Sequence, residues 1–271
     1  MKISNLMNVD FKKFSIDKDR LVIDALDLMD KDKTSILLCI DNKKELKGII
    51  TERDLLDRLG SKKFGKLKTS SIRISSVMVY DPEVASPDDS IYEVAAIMND
   101  NGYTGIPIVK DGPVGFVSQN EIIEICRKVN SITVQEIMDK NPIILSEDDR
   151  IIHARSIFFE KNTSSILLGS NGKVNGVITE GILSRAFANF RENVPGVHQA
   201  ERIKQMILND CKKSPILINN DMFIGEAATL MLEEGVRILV ILDENENLLG
   251  TITKDILVEF VKNELSLKNY K

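Results

Sequence analysis

The chain has 271 residues, of which 43% are hydrophobic and 28% charged, and its formal net charge is -5. This composition is typical of a globular protein with room for about two domains, and it excludes fibrous and disordered classes. The negative charge argues against non-specific binding to nucleic acid or anionic membranes, because such binding needs clustered Lys and Arg.

The cysteines and the apolar runs indicate in which cellular compartment the protein is expected. Cys39, Cys126 and Cys211 are odd in number and far apart, so they predict neither a zinc site nor a disulfide framework. The first residues lack the apolar core of a signal peptide, and no apolar run is long enough to span a membrane. We therefore expect a cytoplasmic protein with no metal and no membrane association.

Four segments of the chain begin with an amphipathic helix followed by an apolar strand. In three of the helices, apolar residues recur at i, i+3, i+4 and i+7, while the third has Arg155 where a core residue is expected. Short polar clusters such as 86–90 and 146–149 supply N-caps. The helices lie near 22–29, 91–98, 151–158 and 224–231, and the strands near 35–40, 105–109, 165–168 and 237–242.

A second strand in each segment ends in Gly, two mostly apolar residues and a hydroxyl residue, and the last helix begins at that hydroxyl. The four copies are about 60 to 75 residues apart, longer than solenoid periods. They are Gly48–Thr51, Gly115–Ser118, Gly176–Thr179 and Gly250–Thr253. Apolar-Met pairs mark a short leading helix in three copies, with a looser match in the fourth: Leu6-Met7, Val77-Met78, Ile137-Met138 and Met206-Ile207-Leu208.

The element order predicts an α/β fold of four repeats that pair into two domains, because one repeat alone would bury little core. The first domain would be 1–128, with repeats at about 1–60 and 70–128. The second would be 129–271, with repeats at about 129–190 and 200–262.

The runs GIITERDLL (48–56) and GYTGIPIV (102–109), with a Ser-Pro-Asp-Asp helix start, resemble the CBS repeat. Pairs of such repeats are called Bateman modules. The resemblance covers nearly the whole chain and implies the stand-alone archaeal or bacterial type. It implies that each repeat is a small, mostly antiparallel sheet with packed helices.

The strand-to-helix turn of each repeat has the chemistry of a phosphate site. Thr51 places a hydroxyl beside the free N–H groups of a helix N-terminus. Asp54 lies one turn later on the same face, where its two oxygens could accept both hydroxyls of a ribose. The same sequence can serve simply as a helix cap, and that alternative stays open for each repeat.

The resemblance implies an adenosine-containing ligand, namely AMP, ADP, ATP or S-adenosylmethionine, and no required cofactor. The adenine would lie in an apolar slot beside the sheet, and Arg237 stands where some family members place a basic residue against phosphate. The candidate binding residues are Ile49, Thr51 and Asp54, then Phe116, Ser118 and Glu121, then Thr179, and finally Arg237, Thr253 and Asp255.

These candidates do not match the motif equally. Repeat one is complete, and in repeat two Glu121 replaces the aspartate. In repeat three Ile182 stands where the acid belongs. In repeat four Asp255 comes one residue early, rotated by about 100° on a helix. We therefore expect binding mainly in the first two repeats.

The chain lacks the common catalytic motifs, and His153 and His198 stand near no nucleophile motif. We expect a non-enzymatic regulator that binds an adenosine ligand and alters an unidentified partner protein, with homodimers compatible with paired modules. A rival interpretation is a nucleic-acid-binding or scaffolding protein with unoccupied clefts, based on the Lys62–Lys68 run and a connector at 185–200. A third is a weak nucleotide-hydrolysing enzyme.

Overall fold

The computed structural model describes residues 1–8, 13–61, 66–170 and 173–265, and in this part of the chain the fold is α/β. Each repeat has the predicted order of elements around a small sheet. Most strand pairs are antiparallel, while the first strand of repeats one, three and four pairs in parallel.

Repeat one shows the architecture that the others follow. Its elements are β1 (Ser15–Asp17), α1 (Val22–Asp32), β2 (Ile36–Ile40), β3 (Leu46–Thr51) and α2 (Glu52–Leu59). The sheet pairs β1 parallel to β2 and β2 antiparallel to β3. The apolar stripe of α1 is buried as the 3.6-residue period predicts, since Val22 and Ala25 are fully covered and Met29 nearly so.

The linker and repeat two follow with β4 (Val79–Tyr80), α3 (Ile91–Asn101), β5 (Gly105–Val109), β6 (Pro113–Ser118) and α4 (Gln119–Ile123). Strand β4 pairs antiparallel with β3 and so completes the sheet of repeat one. Helix α3 begins at Ser90, whose side chain accepts from the amide of Tyr92, while Glu93 accepts from the amide of Ser90. This is the N-terminal signal that the polar cluster predicts.

Repeat three contains α5 (Val134–Ile137), β7 (Ile144–Leu145), α6 (Ile151–Glu160), β8 (Ser165–Ser170), β9 (Lys173–Thr179) and α7 (Glu180–Asn193). After α8 (Gly196–Arg202), repeat four contains β10 (Leu217–Asn219), α9 (Ile224–Glu234), β11 (Ile238–Leu242), β12 (Leu248–Thr253) and α10 (Lys254–Phe260).

The segment 185–200 is not the connector expected from the sequence. Helix α7 continues through it to Asn193, and α8 begins only three residues later at Gly196. The physical reason is burial, because Phe187 is fully covered and Phe190 is 7% exposed along the same helix. Pro195 interrupts the helices without creating a free linker.

The chain divides into two compact units that each combine two repeats. Unit 2 contains 12–81 and 143–214, and unit 1 contains 1–11, 82–142 and 215–271. Each unit has its own hydrophobic cluster, so repeat one shares a core with repeat three, and repeat two shares a core with repeat four.

The predicted halves 1–128 and 129–271 are therefore not the compact units, because each half contributes to both. Helix faces cause the difference, since α2 packs on α7 in unit 2 and α4 packs on α10 in unit 1. The pairing of repeats one with two and three with four as ligand-binding modules stays a prediction.

Arg155, the residue out of pattern in α6, contributes to the core contact of unit 2. Its Nη2 donates to the backbone oxygen of Asp57 at 2.9 Å and to the carboxylate of Asp57 at 2.8 Å. Its Nε donates to the carbonyl of Leu56 at 3.3 Å. A guanidinium therefore caps the carboxyl end of α2, where the Leu56 oxygen also accepts from the amide of Gly60 at 3.1 Å.

A short segment ahead of each repeat, here called its leader, crosses onto another repeat. The leaders are residues 3–8, 74–80, 134–139 and 208–213. Bridges join Asn8 to Phe116, Val79 to Ile49, Asp139 to Thr251 and Lys213 to Val177. Repeats one and two thus exchange leaders, and so do repeats three and four.

In three leaders the methionine of the predicted pair donates its amide to the residue four earlier, as in Met78 to Ile74 at 2.9 Å. In the fourth leader, Lys212 takes this position and donates to Leu208 at 3.0 Å. The looser match at 206–208 is therefore displaced, and the fourth leader helix is Leu208–Asp210.

The glycine of each motif lies where a leader crosses the strand. A Cβ on Gly48 would lie 2.2 Å from the carbonyl oxygen of Val79, which no folded backbone tolerates. The nearest atoms elsewhere are the oxygen of Asn8 for Gly115 (2.5 Å), the oxygen of Asp139 for Gly250 (2.4 Å) and Cδ of Lys212 for Gly176 (2.8 Å). Leader packing thus explains the motif glycine in repeats one, two and four, where the nearest atom is a backbone oxygen, whereas at Gly176 the neighbour is a lysine side chain.

All three cysteines are free. Burial raises the pKa of Cys126 to about 12 and that of Cys211 to about 11, so neither is a reactive thiolate near neutral pH. Within the described ranges, no helix combines the length and apolar character that a membrane crossing needs.

Candidate functional site

The hydroxyl residue of each motif is the N-cap of the following helix. The Thr51 hydroxyl accepts from the amide of Asp54 at 3.2 Å, and Ser118 accepts from the amide of Asn120 at the same distance. Thr179 and Thr253 accept from the amides of Ile182 and Ile256, each at 3.3 Å. The helix-cap interpretation is therefore correct for all four copies as a structural role.

Repeats one and two add a carboxylate to this cap with matching geometry. Oδ2 of Asp54 accepts from the Thr51 amide at 2.9 Å and from the Thr51 hydroxyl at 2.6 Å. Oε2 of Glu121 accepts from the Ser118 amide at 2.8 Å and from its hydroxyl at 2.6 Å. The longer glutamate side chain therefore places its oxygen equivalently.

This geometry limits how the motif can meet a ligand. One oxygen of Asp54 already accepts two hydrogen bonds from Thr51, so a sugar would approach the other oxygen. The Thr51 hydroxyl donates to that carboxylate, and its proton must turn away before it can donate to a phosphate. The expectation that both oxygens of Asp54 accept sugar hydroxyls thus requires the cap to open.

Burial raises the pKa of the Asp54 carboxyl above its ordinary value, against the opposing hydrogen bonds from Thr51. A carboxyl with a raised folded pKa contributes stability below its unfolded pKa, and that contribution is lost as pH rises through the folded value. We expect the stability of Asp54→Asn relative to the native chain to increase as the pH rises above the ordinary carboxyl value of about 4. Denaturant unfolding at several pH values measures this difference, and parallel pH curves for the two proteins would contradict it.

One face of each sheet points away from the hydrophobic cluster and carries the motif side chains. In repeat one, Ile49 and Thr51 share this face by strand alternation, while Ile50 points into the core. Phe116 and Ser118 occupy the same positions in repeat two. Ile49 and Thr51 are half-buried, whereas Phe116 and Ser118 are buried.

The sequence interpretation missed an aliphatic position on this face. It lies two residues before the polar cluster that starts each repeat's first helix, so aligning the repeats could have found it. The position holds Val84 (47% exposed), Ile144 (46%) and Leu217 (52%), whereas repeat one has Ser15. Exposed aliphatic side chains on a sheet face offer a surface for a flat apolar group.

Repeat three lacks the acid, and its junction is occupied by contacts within the protein. Glu180, directly after Thr179, is 1% exposed and accepts from Nη1 of Arg53 at 2.6 Å. Gly181 faces the Glu52 carboxylate so closely that a Cβ there would lie 2.1 Å from Oε1.

Repeat four places Asp255 toward repeat two. Its Oδ1 accepts from Nε2 of Gln119 at 2.6 Å and lies 3.7 Å from Nη2 of Arg237. Arg237, 8% exposed, also donates to Oε1 of Gln119 at 3.3 Å. Lys254 contacts Oδ1 of Asn120 at 2.7 Å. The early position of Asp255 thus turns its carboxylate to an internal partner.

The structure brings the candidates together in two sets. In unit 2 the junction of Thr51 and Asp54 is joined to that of Thr179 through Arg53 and Glu180. In unit 1 the residue after Ser118 joins that junction to Asp255 and Arg237. The roles of all these residues toward a ligand stay predictions.

Among the described residues, no group of His, Cys, Asp and Glu could hold a metal ion. His153 is exposed and lies 3.6 Å from Asp149 of its own helix start. Of the basic run, Lys62 and Lys63 lie outside the described residues, and Lys66 and Lys68 are exposed.

The family model of the CBS domain matches residues 3–61, 74–128, 134–189 and 205–263. A 33.4 kDa protein from a ribosomal RNA operon of Thermofilum pendens is 24% identical over 81% of this chain and 78% of its own length. Protein MJ1404 of Methanocaldococcus jannaschii is 24% identical over 91% of this chain but only 59% of its own length. The crystal structure of protein MJ1225 from the same organism matches with a TM-score of 0.79 at 16% identity, over 96% of this chain and 99% of that one.

Proposed function

This chain belongs to the CBS-domain family, and on that premise we propose that it is a regulatory protein that binds adenosine-containing ligands at the motifs of repeats one and two. The ligands in question are AMP, ADP, ATP and S-adenosylmethionine. The proposed role is non-catalytic, in that binding alters the activity of a partner protein.

The observation that carries the proposal is the matched placement of Asp54 and Glu121. Both hold one oxygen against the cap hydroxyl at 2.6 Å, although their side chains differ in length. At a strand-to-helix junction the cap does not need this acid, because Thr179 and Thr253 cap their helices without one. The acids that complete caps elsewhere, such as Asp24 and Glu93, lie at the first helices and not beside a motif strand. The acid therefore supports a ligand role in the first two repeats.

The face beside each motif supports an adenine. Repeat two combines Glu121 and Ser118 with the exposed side chain of Val84. Repeat one carries the complete polar motif but has Ser15 at the aliphatic position. We expect repeat two to contribute more to base stacking and repeat one more to the polar contacts.

The exchange of leaders supports the pairing of repeats one and two as one module. Residues 3–8 lie on repeat two, and residues 74–80 lie on repeat one. A ligand that shifts either motif strand also shifts the leader paired with that strand, and this leader continues directly into the other repeat. This connection is a physical route by which occupancy could be transmitted.

The test is calorimetric titration of the full chain with the four ligands, comparing Asp54→Ala and Glu121→Ala with the native protein. We expect at least one ligand to bind, and removal of the relevant acid to weaken binding by about tenfold or more, as for loss of a hydrogen bond to a charged group. Matched controls are Asp24→Ala and Glu93→Ala. Asp24 and Glu93 also accept from an N-cap amide, at 3.1 and 3.0 Å, but at the first helix of each repeat.

The controls separate loss of a helix cap from loss of a ligand contact. Equal weakening in Asp24→Ala and Asp54→Ala would contradict a direct role for Asp54. If none of the four ligands binds at millimolar concentration, the proposed function is wrong. Binding to DNA or RNA that weakens steeply with salt would favour the rival interpretation instead.

A further inference from the structure

Arg53 is a residue of repeat one whose side chain contacts repeat three. Its Nη1 donates to Glu180 at 2.6 Å and approaches the carbonyl of Thr163 at 3.4 Å. Its Nη2 donates to Oδ1 of Asn162 at 2.9 Å and to the carbonyl of Phe158 at 3.3 Å. The guanidinium therefore binds the end of α6, the loop before β8 and the start of α7 together.

These three pieces surround the strand-to-helix junction of repeat three. Ser165, the first residue of β8, pairs with Thr179, and Glu180 follows Thr179 directly. The ring of Phe159 lies 5.1 Å from the guanidinium carbon of Arg53, which adds a cation–π contact. A displacement of Arg53 must therefore disturb both sides of this junction.

Arg53 is equally close to the junction of its own repeat. It lies between Glu52 and Asp54 in the first turn of α2, whose cap is Thr51. The backbone oxygen of Glu52 accepts from the Ser184 hydroxyl of α7 at 2.9 Å. Opening the Thr51–Asp54 cap would shift this turn. Because the guanidinium of Arg53 is bound to repeat three, the Arg53 side chain would transmit the shift to that repeat.

The Arg53 contact runs only from α2 to α7, and it differs from the corresponding contact in unit 1. Position Gly181 in α7 corresponds to Arg53 in α2 and has no side chain to reach back. In unit 1 the corresponding contact joins Lys254 to a neutral partner, Asn120. The Arg53–Glu180 ion pair of unit 2 thus stands where unit 1 has the contact between Lys254 and Asn120.

We propose that Arg53 is a positioning residue that couples the strand-to-helix junction of repeat one to that of repeat three. Opening or ligand occupancy at Thr51 and Asp54 thereby changes the stability of the first turns of α7. The ligand part of this inference rests on the proposed function, whereas the coupling between junctions does not.

Hydrogen exchange measured by mass spectrometry tests the coupling in the full chain, with AMP, ADP, ATP and S-adenosylmethionine as separate probes. A bound probe is expected to slow exchange at 52–56 and, by about fivefold or more, at 180–186, in keeping with usual couplings between sites. In the double variant Arg53→Met/Glu180→Gln, which leaves no unpaired buried charge, protection at 52–56 should persist while that at 180–186 disappears.

Arg185→Met is the matched control, because Arg185 also joins α7 to repeat one, through Asp27 at 2.8 Å and Asp30 at 2.5 Å, but away from both junctions. Arg185 lies within 180–186, so the quantity compared is the slowing of exchange caused by a bound probe, which should equal that of the native chain at both segments. Protection at 52–56 without protection at 180–186 in the native chain would overturn the coupling and leave the proposed function standing. Persistence of both in the double variant would also overturn the coupling.

If no probe binds, the proposed function is wrong but the coupling is still untested. A comparison without ligand then tests the coupling. Thr51→Val removes the hydroxyl from the cap of α2. We expect it to speed exchange at 180–186 in the chain that retains Arg53, and to leave that segment unchanged in the double variant. Equal acceleration in both backgrounds, or none in either, would overturn the coupling.

Discussion

Replacing Arg53 with Met is expected to lower the free energy of unfolding by about 3 kcal/mol, at the lower end of the cost of breaking a buried ion pair. Glu180 is 1% exposed, so its carboxyl would lose the guanidinium contact at 2.6 Å without gaining access to water. The cost is at the lower end because the Arg53 side chain itself retains 29% exposure. Urea unfolding followed by circular dichroism measures the change.

A double-mutant cycle isolates the charge pair from the other contacts of Arg53. The loss of stability in Arg53→Met/Glu180→Gln should be smaller than the sum of the losses in Arg53→Met and Glu180→Gln by about 1 to 2 kcal/mol, a usual coupling for contacting residues. Arg185→Met serves as the comparison with exposed carboxylate partners, since Asp27 is 67% and Asp30 62% exposed, and it should cost at most about 1 kcal/mol. Additive effects of Arg53→Met and Glu180→Gln would mean that the pair contributes no coupling.

Replacing Gly48 with Ala is expected to cost about 2 to 3 kcal/mol, within the range for overpacking a well-packed site. The added Cβ would lie 2.2 Å from the carbonyl oxygen of Val79 and 3.1 Å from its carbon. Relief requires β4 to move off β3, with loss of the pairing of Gly48 with Tyr80. The same unfolding measurement tests this prediction.

Gly176→Ala is the matched control in the same unit. Its new Cβ would lie 2.8 Å from Cδ of Lys212, which can rotate away, and 3.1 Å from Cβ of Lys212, which must give by a few tenths of an ångström. We expect a cost below about 1 kcal/mol, because no backbone atom is among the nearest neighbours. Similar costs at Gly48 and Gly176 would show that leader packing does not explain the motif glycine.

The periodic part of the fold could be predicted from sequence because each helix buries one stripe. Val22, Ile91 and Ile224 begin stripes that the structure buries completely. Arg155 broke the pattern for a reason outside its own helix, since its partners are backbone oxygens of α2. Periodicity shows which face of a helix is buried but not which element covers that face. The sequence therefore could not show which repeats share a core.

The positions of the hydroxyl and acid residues of the candidate site could be predicted from the sequence, but their hydrogen-bond partners could not. Spacing places Asp54 one turn after Thr51, but it cannot show that Oδ2 already accepts from that threonine. The displacement of Asp255 by one residue correctly indicated a different direction, and its partner Gln119 became visible only in the folded chain. Leader exchange also escaped prediction, because a bridge of one or two residues leaves no repeating pattern.

The crossing leaders define the smallest piece of this chain that closes its own sheets. A single repeat cut out with its own leader would carry a segment that belongs elsewhere, and the strand of its motif glycine would be an uncovered edge. Such edges recruit other chains. A fragment of two successive repeats supplies both missing segments but leaves each shared core without its other half, so closed sheets and complete cores are obtained together only from all four repeats.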